Sequence, residues 1–179
     1  MEGGGASGAG NGCPRAEDGR DSSLVARRPT LIIGVGNPLR GDDAVGVRVV
    51  ESLSALALPE GVEVVDGGTM GLGLVNLMKD RRRVVLVDAA SLGRAPGEFV
   101  CLPLAQARLR GADDHLSVHG AGVCDALLLA QALDCLPDEV LIVGVQPASM
   151  QWNAGLTPDV QAAVPAITQT ILDRLELLD

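Results

Sequence analysis

At 179 residues, with 47% hydrophobic side chains, the chain is long enough for one domain with a proper buried core. A net charge of −9 and only two aromatic rings, Phe99 and Trp152, leave neither the cationic surface nor the stacking platforms that nucleic acid requires, so no nucleic-acid partner is expected. The long uncharged stretch VLIVGVQPASMQWNAGLTP is broken by two prolines and several polar residues, which excludes a membrane span and a membrane partner.

Arg27-Arg28 ahead of LIIGVG faintly resemble a twin-arginine leader, but Asn37, Arg40 and Asp42 end the apolar run too soon. A cytoplasmic protein is therefore expected. Cys13, Cys101, Cys124 and Cys135 show no C-x-x-C spacing, so they read as reduced core thiols rather than as a zinc or redox site.

In chain order, residues 1–29 are rich in Gly, Ala, Ser, Asp and Arg without apolar periodicity, and a disordered extension is expected there. Residues 30–179 are expected to form a single α/β domain. LIIGV (31–35) is a fully apolar strand. AVGVRVVESLSAL follows as a helix, with Val45, Val49, Leu53 and Leu56 on one face. VEVVD (62–66), a short helix at GLGLVNLM, VVLVD (84–88) and GEFVCL (97–102) come next. The last of these follows its neighbour after a short Gly/Pro loop, which suits an antiparallel intruder. A helix from about Leu116 to Leu133, the strand VLIVGV (140–145) and a helix from about Pro158 to Leu178 complete the chain. Apolar strands alternating with amphipathic helices predict an α/β fold: a three-layer αβα sandwich around a mostly parallel, twisted, five-stranded sheet.

In such sheets ligands bind beyond the carboxyl ends of the strands. Three acidic positions are expected there: Asp42/Asp43 after the first strand, Asp66 ending the second and Asp88 ending the third. Acids at three successive strand ends repel one another unless a positive charge sits between them. Of the adjacent pair, one fits a helix cap or first-turn acid, assigned to Asp42. The other is then left for a ligand.

Several constellations compete for that place. GVGNPL opens like a dinucleotide loop, but Leu39 stands where the third glycine belongs and Pro38 lacks an amide hydrogen. His115 and His119 have the spacing of two zinc ligands on one helix face, yet the zinc-protease motif needs Glu where this chain has Leu116. Ser117 is too near His119 for an ordinary serine triad, and Cys124 reads as helix core rather than nucleophile. A mixed oxygen and nitrogen site of Asp43, Asp88 and His119 remains, a donor set that suits borderline divalent ions such as nickel or zinc.

At GVGNPLRGDDAVGVRVVE, VEVVDGGTMGLGL, VVLVDAA, LSVHGAG and VGVQPASMQWNAGLTP the sequence resembles the hydrogenase maturation endopeptidases, in order and from Leu31 to about Leu175. The resemblance implies removal of a C-terminal extension from the large-subunit precursor of a nickel–iron hydrogenase after nickel insertion. It implies Asp43, Asp88 and His119 as both metal-contacting and catalytic residues, the nickel being supplied by the substrate. Many relatives carry Glu where Asp43 stands. Asp66 to Thr69 matches a family stretch linked to substrate discrimination, and a tight glycine turn explains it equally well. The reading from another class is a non-catalytic metal- or nucleotide-binding α/β module.

Overall fold

The computed structural model describes residues 30–107, 117–118 and 121–176. The expected extension, residues 1–29, lies outside the described residues, as do His115 and His119. Six strands are described: β1 (Thr30–Val35), β2 (Val62–Gly68), β3 (Arg83–Ser91), β4 (Phe99–Pro103), β5 (Ser117–Val118) and β6 (Glu139–Val145). The helices are α1 (Val45–Ser54), α2 (Leu74–Met78), α3 (Ala121–Ala132) and α4 (Pro158–Glu176).

Five strands form one sheet in the order β2-β1-β3-β6-β4. β1 is parallel to β2 and to β3, and β3 is parallel to β6. Among these five, β4 runs antiparallel, paired with β6 at the edge. The expected intruder is therefore present, and it is placed where an antiparallel strand costs the parallel pairs nothing.

The apolar runs read as buried strands because both of their faces are covered. Along β3, Val85, Val87 and Ala89 pack into one core with Val45, Val49 and Leu53 of α1 and Val160, Val164, Ile167 and Ile171 of α4. Val84 and Leu86 turn the other way, into a second core with Leu74 and Met78 of α2 and Val123 and Leu127 of α3. The period of two along each strand thus divides its side chains between two helical layers. At the other end of β3, Arg83 donates to Glu139 at 2.7 Å, tying together the two residues that also pair in register at the start of β3 and β6.

Two boundaries differ from the sequence expectation. The helix expected from Leu116 begins at Ala121, because Ser117 and Val118 pair antiparallel with Ser91 and Ala90 at the end of β3. Leu56 lies beyond the end of α1 and is exposed, while Val45, Val49 and Leu53 are buried as expected.

Gly46, in the first turn of α1, explains how tightly that helix sits. A Cβ there would run into the carbonyl oxygens of both Val35 and Val87. Helix backbone thus lies directly on the crevice between β1 and β3. That crevice is the switch point of the sheet, since the chain leaves β1 toward β2 and then returns to build β3 on β1's other side.

Candidate active site

The segment GNPLRGDD connects β1 to α1 across this switch point. Gly36 opens it with φ near 134°, in the region that only glycine adopts without strain, and its α-carbon sits against the carbonyl of Asp43. The turn is knitted from within. The Asn37 amide donates to Asp43 Oδ2 at 3.0 Å, and the Leu39 amide donates to Asn37 Oδ1 at 3.0 Å. Residues Gly41–Ala44 make one tight helical turn leading into α1, and all four are buried.

Neither carboxylate caps that turn. Asp42, assigned by sequence to a cap, is fully buried and serves a distant loop. Oδ2 accepts from the amides of Ala148 at 2.8 Å and Ser149 at 2.9 Å and from Thr157 Oγ1 at 2.9 Å. Oδ1 accepts from the Thr157 amide at 2.7 Å. The Asp42 amide in turn donates to the Ser149 carbonyl at 2.9 Å. Thr157 stands just before Pro158, the first residue of α4, where proline's missing N–H is no loss. Asp42 therefore ties the β1–α1 turn to the loop entering α4, more than 100 residues later.

Asp43 is also buried rather than exposed, with a relative accessibility of 7%. Asp88 is on β3, three residues before the strand ends, because the β5 pairing extends β3 beyond the predicted Asp88 terminus. Its Oδ1 accepts from the Ala89 amide at 2.8 Å. Its Oδ2 is buried without a hydrogen-bond partner among the described residues. Burial pushes the Asp88 carboxyl well above the usual carboxylate range; the charge of Asp43 pushes the same way, and the Ala89 hydrogen bond partly offsets both.

The structure thus brings together two of the expected carboxylates, Asp43 and Asp88, at the switch point. Asp66 is not gathered with them: it is exposed, lies within β2 rather than at its end, and accepts from the Gly68 amide at 2.8 Å in a local turn. His119, the third expected residue, falls outside the described residues. Among the described residues no group of three or more His, Cys, Asp or Glu is gathered in a form that could hold a metal ion. Cys101, Cys124 and Cys135 are partly rather than fully buried, and burial pushes the Cys101 thiol up, away from a reactive thiolate.

Sequence reasoning missed the anchoring role of Asp42. The signal was present in the paired acids and in the GLTP stretch, whose Thr-Pro reads as a helix start. Nothing in one dimension joined the two.

A family model described as hydrogenase maturation protease matches residues 47–174, a span that includes Asp88 and His119 and begins four residues after Asp43. Over 144 residues the chain is 37% identical to the hydrogenase 2 maturation protease of Escherichia coli strain K12, covering 79% of this chain and 87% of that protein. It is 31% identical to the hydrogenase expression/formation protein HupD of Rhizobium leguminosarum bv. viciae, over 78% and 70% of the two chains. The fold superposes on the hydrogenase maturating endopeptidase HybD from E. coli with a TM-score of 0.73 at 35% identity, over 83% of this chain and 92% of that one. A HybD maturation protease of NiFe hydrogenase from Thermococcus kodakarensis gives 0.67 at 26% identity, over 82% and 98%. With two buried carboxylates at the switch point of this fold and similarity along most of the chain, the protein belongs to the hydrogenase maturation protease family and is a peptide hydrolase.

Proposed function

We propose that the protein removes the C-terminal extension of a nickel-loaded hydrogenase large-subunit precursor, and that Asp43, Asp88 and His119 are the residues that meet the substrate's nickel and the scissile peptide. The observation that carries this reading is the buried Asp88 Oδ2, without a hydrogen-bond partner among the described residues, with the charge of Asp43 acting on it. A cation brought by the substrate supplies the missing partner and relieves the repulsion together. Two carboxylate donors suit a divalent ion and leave most of its coordination to other ligands.

His119 joins the proposal from its place in the chain. It follows Val118, whose backbone pairs with Ala90, two residues past Asp88. Nickel in the site would polarise the scissile carbonyl or ease deprotonation of water. The protein's own part is to orient the precursor, exclude bulk water and accept a proton. Asp88, whose carboxyl is pushed above the usual range by burial and by Asp43 while no cation is bound, would give up its proton as the cation arrives.

Cleavage of purified large-subunit precursor, with and without nickel, tests the reading. The nickel-loaded form should be cut by protease stripped of metal, and the nickel-free form should stay intact. Efficient cutting of nickel-free precursor would sink it.

A further inference from the structure

Two loops meet beside Asp43, and each carries an exposed apolar side chain. Leu39 is 56% exposed on the β1–α1 turn, and Trp152, the chain's single tryptophan, is 64% exposed on the loop between β6 and α4. Both belong to a rigid frame. The Asn153 amide donates to the Leu39 carbonyl at 2.7 Å, the Arg40 guanidinium lies 5.6 Å from the centroid of the Trp152 ring, and Asp42 clamps both ends of the loop. Exposed apolar side chains on such a frame keep their shape without a partner, which is the condition for low-cost docking.

We propose that Leu39, Arg40 and Trp152 form a docking lip that takes an apolar side chain of the substrate polypeptide, close to the bond that is cleaved. The occupant is that polypeptide because Leu39 and Arg40 lie on the same turn as Asp43, and Asp42 ties that turn to the loop that carries Trp152. Arg40 and Asp43 are three residues apart, so their α-carbons lie within about 11 Å, a span that three or four extended residues of a bound chain cover. A polypeptide bound beside Asp43 thus has the lip within reach of a few residues. Arg40, held over the ring face, leaves its remaining N–H groups for carbonyl oxygens of the passing chain. The choice of occupant rests on the proposed function; the exposure and rigidity of the lip do not.

Because Trp152 is the only tryptophan, 5-fluorotryptophan labelling gives a single 19F resonance that a large unlabelled precursor cannot obscure. Saturating nickel-loaded precursor should shift that resonance in the wild type and in the Asp88→Asn variant, whether or not cleavage follows. Trp152→Ala should lower kcat/KM about tenfold, chiefly through KM, and Trp152→Phe should restore most of it. An unmoved resonance overturns the lip, as does a shift produced by raising protease concentration alone, which would make the occupant a second copy. If the resonance shifts but wild-type protein cuts no precursor, the lip stands and the proposed reaction falls.

Discussion

Adjacent aspartates with the same side chain do opposite work here. Asp42 accepts four hydrogen bonds while fully buried, so Asp42→Ala strands three amides and a hydroxyl and should cost about 3 kcal/mol or more in stability. Asp43→Ala loses, among the described residues, the one bond accepted from Asn37 and should cost about 1 kcal/mol, yet abolish processing. Urea unfolding beside a precursor-cleavage gel separates them; equal destabilisation by both would mean that Asp42 is no clamp. Asp88 supplies a second contrast, through pH. Its folded-state pKa is raised, so between the unfolded value near 3.8 and the raised one the folded protein binds more protons than the unfolded. Its contribution therefore weakens stability progressively as pH climbs through that window. Asp88→Asn removes the titration, so the variant should gain on wild type as pH rises from 4 to 8 while losing processing. Melting temperatures of the two proteins across that range test it, and a constant difference would contradict the assignment.

Among the elements, α1 shows where backbone geometry overrides propensity. Alanine favours a helix over glycine by about 1 kcal/mol. At position 46 a Cβ meets the carbonyls of Val35 and Val87, neither of which can swing aside as a flexible side chain would. Gly46→Ala should therefore destabilise, by about 2 kcal/mol, and push α1 off the crevice that holds Asp43. Equilibrium denaturation should show a lowered midpoint; an unchanged or raised midpoint would mean that the sheet yields. The antiparallel β4 and the two-residue β5 teach a related lesson. Each adds to an existing strand, β4 to the edge at β6 and β5 to the end of β3, without disturbing the parallel pairs that position the site.

Over the whole molecule, composition separates residues 1–29, rich in Gly, Ala, Ser, Asp and Arg without apolar periodicity, from the apolar strands and helices that fill the two cores. We propose that residues 1–29 are a dispensable extension of a single domain at 30–179. Removing residues 1–26 should leave the unfolding midpoint and the rate of precursor cleavage unchanged within error. A drop in either would assign those residues a part in the fold or in substrate binding. Among the described residues no helix is long and apolar enough to cross a membrane.

The layers and the five strands of the main sheet were legible in the sequence because each depends on local pattern. Runs such as LIIGV and VVLV are apolar throughout since both faces of the strand are covered, and Asp88, next after the second of these, lies toward the carboxyl end of its strand. Contacts distant along the chain decided the rest. The division of labour between Asp42 and Asp43 follows from donors on Ala148, Ser149 and Thr157, and the late start of α3 follows from pairing of Ser117–Val118 with β3. The exposed Asp66 and the buried Asp88 were indistinguishable as letters; desolvation separates them, and desolvation is a property of the packed molecule alone.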